Sequence, residues 1–277
     1  MNADYIQKEG CRMADHYNLY PMKKFASIVA DCMEFPLPES YEPGVKWLTD
    51  ILKQRMGGAA DRVVLYHADA VGLYIWQKYT SLFAPVYQHT SLALPMLSTV
   101  ESVTPVSHAS MYTGLDPEQH GIMTYVRPQL TCRTLYDEWI EAGKKVAIVA
   151  QADSTFLHIF KGRSMEYYEA ANALAVQEKA LELIATDEYD VISIHTFDYD
   201  SAAHAFGPES KQALNAVSLE AEGFDRIAKA LAVHKDKHRT LLTYSPDHGQ
   251  HLTAGGNGAH GSKQIEDMNV VHFFGTI

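Results

Sequence analysis

An α/β fold with a largely parallel central sheet and helices on both faces is what this sequence predicts, on three observations. Four short apolar runs, RVVLYHAD at 62–69, KKVAIVAQAD at 144–153, YDVISIHTFDYD at 189–200 and RTLLTYSPDHG at 239–249, each end in polar residues. Two stretches between them, 166–185 and 209–234, have the length and patterning of crossover helices. Five residues able to bind metal, Asp69, Asp200, His204, Asp247 and His248, fall just after apolar runs, the edge at which an open α/β sheet builds its sites.

Taken in order, residues 1–42 combine short apolar groups with Pro36 and Pro38, followed by Pro43, and read as an irregular lead-in. The stretch GVKWLTDILKQRM at 44–56 has helical spacing at Val45, Leu48, Ile51 and Leu52, and Gly57-Gly58 supplies a stop. Residues 62–69 are branched and apolar, as a buried strand requires. The runs at 144, 189 and 239 repeat that pattern, and NVVHFFG at 269–275 reads as a last strand. Gly255, Gly256 and Gly258 before His260 mark a tightly turning loop. The expectation is one domain over 1–277, with 1–60 as a helical and irregular N-terminal layer.

Composition narrows the function classes. A chain of 277 residues, 47% apolar, supplies a full core. A formal charge of −11 argues against a stable nucleic-acid complex, because phosphate backbones are held by clustered Lys and Arg; a small anion held through metal ions is compatible with it. Cys11, Cys32 and Cys132 are too few for a disulfide framework. The opening MNADYIQKEG has no basic segment followed by an apolar run, and no stretch approaches the roughly 18 apolar residues of a membrane helix. The expected location is therefore the cytoplasm, away from membranes.

Asp200 and His204 are four residues apart, so on a helical turn they share one face and can approach one ion; the alternative is a simple hydrogen-bonded pair. Asp247 and His248 follow the run TLLTY and precede Gly249, whose turn can aim both at one centre; the alternative is a surface pair beside a glycine turn. Asp69 adds an oxygen ligand and His260 a nitrogen ligand. Three Asp and three His suit two divalent ions, zinc first and manganese second. In 98–122, Thr104 precedes Pro105, a residue suited to the first turn of a helix, and an alkoxide at Thr104 would gain from a metal and from free amides at the helix start. The alternative is that Thr104 is only an N-cap.

The order Asp69, TPVSHASMYTGLDPEQHGI, DYDSAAHAFGP, DHG and HGSKQIEDM resembles the alkaline phosphatase superfamily, and within it the type I phosphodiesterase and nucleotide pyrophosphatase branch. In that branch a threonine lies ten residues before the glycine of a TG pair, as Thr104 does before Gly114. The resemblance spans 62–275 and implies an alkaline-phosphatase-like fold and two metal sites. It places Asp200, His204 and His260 at one ion and Asp69, Asp247 and His248 at the other, with Thr104 beside both as covalent nucleophile.

The implied substrate is a small phosphodiester or nucleotide pyrophosphate, with phosphonate, phosphomonoester and sulfate ester as further tetrahedral groups, and a low-turnover metal-containing binding protein as the rival. Three features depart from the branch. Ser107 stands where an Asn often helps hold a substrate oxygen, and its hydroxyl is expected to bind substrate by donating to the same oxygen; Ala70 stands in place of a glycine, and the chain is short, which implies trimmed insertions. His67, His195, His108 and His120 read as core or supporting histidines. Asp198 competes with Asp200 but lacks the spacing to His204. Tyr66, Trp76 and Phe156 read as packing residues, and Lys263, Arg127 and Arg133 as loop cations.

Overall fold

The computed structural model describes residues 16–277. Cys11 and the start of the lead-in lie outside them. The strands are β1 (Tyr20–Pro21), β2 (Arg62–Ala68), β3 (Leu92–Leu97), β4 (Val146–Gln151), β5 (Glu166–Ala170), β6 (Val191–Thr196), β7 (Thr240–Tyr244), β8 (His251–Leu252), β9 (Gly258–Ala259) and β10 (Asn269–Thr276). Eight of them form one sheet in the order β1-β3-β10-β7-β2-β6-β4-β5, and β8 and β9 form a separate ribbon. Every pairing from β7 to β5 is parallel, and only β10 runs antiparallel to its neighbours β3 and β7.

Helices cover both faces. They are α1 (Phe25–Cys32), α2 (Lys46–Met56), α3 (Leu73–Lys78), α4 (Ala84–Tyr87), α5 (Thr104–Thr113), α6 (Pro117–His120), α7 (Leu135–Glu141), α8 (Thr155–Phe160), α9 (Ala173–Thr186), α10 (Asp198–Phe206), α11 (Lys211–Ala232) and α12 (Ile265–Met268). The central strand β2 shows why its sequence is apolar without interruption. Val63 and Leu65 pack into the core under α1, α2, α5, α7 and α8, while Val64 and Tyr66 pack into the core under α3, α9, α10 and α11. A strand covered on both faces has no side to leave polar. Among the described residues, no helix is long and apolar enough to cross a membrane.

The sequence reading departs from the structure at three places. Residues 166–170, expected to open a crossover helix, are the edge strand β5 beside β4; helix α9 starts only after Asn172, whose side chain accepts from the Ala175 amide. The aromatic pair Tyr167-Tyr168 fits a half-buried pleated edge better than a helix turn. The lead-in contains α1, whose Phe25, Ile28, Val29 and Cys32 form a buried stripe at helical spacing. Strand β3, LALPML, was not expected because Pro95 cannot donate to a ladder. It nevertheless lies in the ladder, with Pro95 opposite Val271 of β10, while the two residues of β1 pair with Met96 and Leu97.

Candidate metal and catalytic site

The ends of three adjacent parallel strands build the site. Ala68 of β2 is level with Thr196 of β6, and Tyr66 is level with Tyr244 of β7, so the loops leaving all three start at one edge. Asp69 is the first residue after β2. Asp200 and His204 lie one turn apart on α10 directly after β6, with His204 Nε2 3.4 Å from Asp200 Oδ1. Asp247 and His248 follow β7. His260 comes in on the loop after β9, and its Nδ1 donates to Ser102 O at 3.0 Å.

Ligand atoms of Asp200, His204 and His260 lie within 4.8 Å of one another, and so do those of Asp69, Asp247 and His248. The two sets adjoin: the rings of His248 and His260 stack at 4.1 Å. Asp69 Oδ1 and Asp247 Oδ2 are buried and accept no hydrogen bond, which is costly for a carboxylate that lacks a cation. Burial, then Asp247 and Asp200, push the Asp69 carboxyl well above its ordinary range. Burial also disfavours the Asp247 anion, yet His248 and His108 hold it well below the ordinary range. Burial and the neighbouring His248 press His260 down to about 4, into the neutral form that ligates. Orphaned carboxylate oxygens grouped with imidazole nitrogens are a donor set that fits two divalent cations, and mixed Asp and His ligands suit zinc.

Thr104 is the first residue of α5, and Val103 holds the cap position, so Thr104 is not an N-cap. Its Oγ1 donates to Asp69 Oδ2 at 3.2 Å and lies 3.3 Å from His248 Nε2. It reaches a cavity of about 750 Å³ that Asp69, Asp200, His204 and His260 also line. The expected supply of free amides is small. Pro105 has none, and the Val106 and Ser107 amides both donate to Val103 O.

Ser107 does not reach the cavity. It is fully buried, and its hydroxyl bonds Ser98 Oγ at 3.1 Å and Thr99 Oγ1 at 3.2 Å, while Ser98 donates to Asp247 O at 2.8 Å. A serine three residues along the helix from Thr104 faces the loop that carries Asp247. It braces the loop of Asp247 through Ser98 and is not among the residues that line the cavity.

His108 has a similar place, bonded through Nδ1 to Thr104 O at 3.1 Å and lying 3.4 Å from Asp247 Oδ2. His67 bridges Ser245 O and Tyr112 Oη, and His120 is held by Ser110 Oγ, both away from the cavity. Asp198 accepts from Gln151 Nε2 at 2.9 Å. Arg133 pairs with Glu138 and Glu141, whereas Arg127 lines the cavity.

His195 is the buried, hydrogen-bonded strand histidine that the sequence predicts, and it does more. It lines the cavity, with its Nε2 3.3 Å from Asp69 Oδ2. Burial and the nearby His108 push its ring down to about 3. Its position at the C-terminal end of a parallel strand was the available signal. Asp267 was passed over. Fully buried, it accepts from His251 Nδ1 at 2.8 Å, Ser262 N at 3.0 Å and Ser262 Oγ at 2.6 Å, tying together both ends of the loop that carries His260.

The sheet and its flanking helices have known counterparts. The fold is alkaline-phosphatase-like. Residues 70–152 match the model of the family described as type I phosphodiesterase / nucleotide pyrophosphatase, as the resemblance in the sequence implied. Similar solved structures include the C-terminal periplasmic domain of phosphoethanolamine transferase EptC from Campylobacter jejuni, at 13% identity and TM-score 0.59, covering 78% of this chain and 80% of that one. Murine ectonucleotide pyrophosphatase / phosphodiesterase 5, as an inactive threonine-to-alanine variant in complex with AMP, is 16% identical with TM-score 0.54, over 70% and 58%. Phosphonoacetate hydrolase from Sinorhizobium meliloti 1021, in complex with phosphonoformate, is 17% identical with TM-score 0.51, over 72% and 59%. The chain thus spans less than two thirds of the length of the last two. No curated protein matches the sequence. At these identities the likeness establishes the alkaline-phosphatase-like fold, and the matched segment contains Thr104.

Proposed function

We propose that this protein is a two-metal phosphodiesterase or nucleotide pyrophosphatase-like hydrolase with Thr104 as covalent nucleophile. The observation that carries the reading is the Thr104 hydroxyl at the cavity wall, within hydrogen-bond reach of both Asp69 and His248 of the more buried ligand set. Asp69, Asp247 and His248 would hold one divalent ion and Asp200, His204 and His260 the other, zinc before manganese by donor chemistry. When bound, such ions supply positive charge beside the attacking and leaving oxygens.

In the first half-reaction Thr104 Oγ, its proton passed to solvent, attacks phosphorus. The bond to the leaving oxygen breaks, and the alcohol or nucleotide fragment departs with a proton. In the second, water attacks the phosphothreonine, the Thr104 oxygen leaves, and the phosphate monoester is released. His108 holds the Thr104 carbonyl and so orients the start of α5. The murine relative bound to AMP favours a nucleotide diester, and the phosphonoacetate hydrolase makes a phosphonate the second reading.

The test is turnover of zinc- or manganese-loaded protein against aryl phosphodiesters, monoesters, phosphonates and sulfates, with Thr104→Ala alongside. The expected result is preference for the diester and a loss of at least about 10³-fold in kcat for the variant, as removal of a nucleophile produces. Unchanged turnover in Thr104→Ala would overturn the nucleophile. Absence of turnover on every ester would favour a metal-containing binding protein.

A further inference from the structure

Among the polar side chains that line the cavity, His195 has no part in the two-metal mechanism. His195 lines the same cavity as Thr104, is 1% exposed, and its buried Nε2 makes no hydrogen bond. The ring is clamped. Phe156 stacks on it at 4.9 Å and 10°, His108 meets it edge-on at 5.3 Å, and Ser154 Oγ lies 3.1 Å from Nδ1.

Two contacts decide which nitrogen carries the proton. Ser154 Oγ accepts from the Leu157 amide as the cap of α8, and its own O–H is free to donate to Nδ1. On the other side Nε2 faces Asp69 Oδ2 at 3.3 Å, where a bare lone pair would be repelled and an N–H attracted. A protonated ring would present the same N–H at Nε2, so the geometry does not depend on titration.

Asp69 Oδ2 is also the atom to which Thr104 Oγ1 donates at 3.2 Å, so the N–H and the nucleophile flank one carboxylate oxygen. A phosphorus under attack by Thr104 would carry its non-bridging oxygens into that same space. Ser107 cannot serve it, being buried against Ser98 and Thr99. We propose that His195 is a further catalytic residue, whose Nε2–H donates to a non-bridging oxygen of the substrate as Thr104 attacks. The inference rests on the reading of the site as a phosphoryl-transfer centre. A donor fixed in advance by packing is where charge stabilisation is most effective, since nothing reorganises during the reaction.

The experiment compares wild type, His195→Ala and His195→Gln, each zinc-loaded, in three measurements: metal content, orthovanadate affinity by calorimetry, and kcat and KM on an aryl phosphodiester. Gln places an amide N–H about as far from the backbone as Nε2. The expected result is two ions retained in all three proteins and vanadate binding weakened at least about 10-fold in His195→Ala. The loss in kcat should be about 10²–10³-fold, the effect of removing one such donor, with a smaller change in KM and at least partial recovery in His195→Gln. Loss of an ion in His195→Ala would overturn the proposal and make His195 a positioning residue for Asp69. Turnover and vanadate affinity within threefold of wild type would overturn it outright. A wild type that hydrolyses no ester but binds vanadate in a His195-dependent way would sink the hydrolase reading and leave the donor standing. A wild type that neither turns over nor binds vanadate would sink both.

Discussion

The backbone N–H of Ala70 donates to Asp247 Oδ1 at 3.1 Å, and it does so from a left-handed conformation with φ 66°. The loop after β2 thereby holds the carboxylate that follows β7, and a residue with a Cβ occupies a backbone region suited to glycine. Ala70→Gly is expected to stabilise the protein by up to about 1 kcal/mol, strain relief being partly offset by the freer unfolded chain. Ala70→Val, branched and fully buried, should cost more than about 2 kcal/mol. Urea unfolding midpoints check both, and a Gly variant less stable than wild type would contradict the strain.

Replacing one ligand in each set should separate the two ions. Asp200→Ala and Asp247→Asn are each expected to retain one ion per chain by elemental analysis, because the two sets share no ligand. Asn at 247 keeps an oxygen for the Ala70 amide while removing the charge. Loss of both ions from either variant would show one shared site.

Gly249 follows the ligand His248 for a reason other than turn conformation. A Cβ there would overlap the Glu266 carbonyl oxygen and come within 2.8 Å of Gly72 Cα, so two metal-bearing loops meet where only hydrogen fits. Gly249→Ala should cost about 3 kcal/mol and weaken metal retention. Gly255→Ala, whose Cβ would meet nothing closer than 3.6 Å, should stay within about 0.5 kcal/mol of wild type. Equal thermal shifts in the two variants would remove the close-approach argument.

Glu220 on α11 is fully buried, and neither carboxylate oxygen makes a hydrogen bond. Burial, then Asp198, push its carboxyl well above the ordinary range. The folded state therefore binds this proton more tightly than the unfolded chain, whose value is about 4.3. Its contribution to stability is complete below that value and is lost as pH rises toward the raised folded one. Glu220→Gln, which cannot ionise, should gain on wild type progressively as pH rises from about 4.3, read from unfolding midpoints across pH. Parallel pH curves would contradict a raised carboxyl.

Much of this arrangement is legible in residue order. The runs at 62, 146, 191 and 240 are apolar because strands covered on both faces must be, and the one-turn spacing of Asp200 and His204 survives intact as a shared face of α10. Strand β3 contains Pro95, a residue type that argues against a strand, yet it pairs with β10 along its whole length. Strand β5 was hidden because an edge strand with mixed exposure carries no clear period.

Residue type and position after a strand nominate the side chains able to bind metal, because parallel strands deliver their C-terminal loops to one edge, and the family resemblance sorts them into two sets beside Thr104. Which further side chains join them is decided only by packing. Ser107 and His195 look interchangeable as a helix serine and a strand histidine. Yet α5 buries Ser107 against Ser98, whereas His195, at the end of β6 and bonded to Ser154 at the start of α8, lines the cavity. Side-chain direction follows from backbone rotation and from the element on the other side, and neither is written in local spacing.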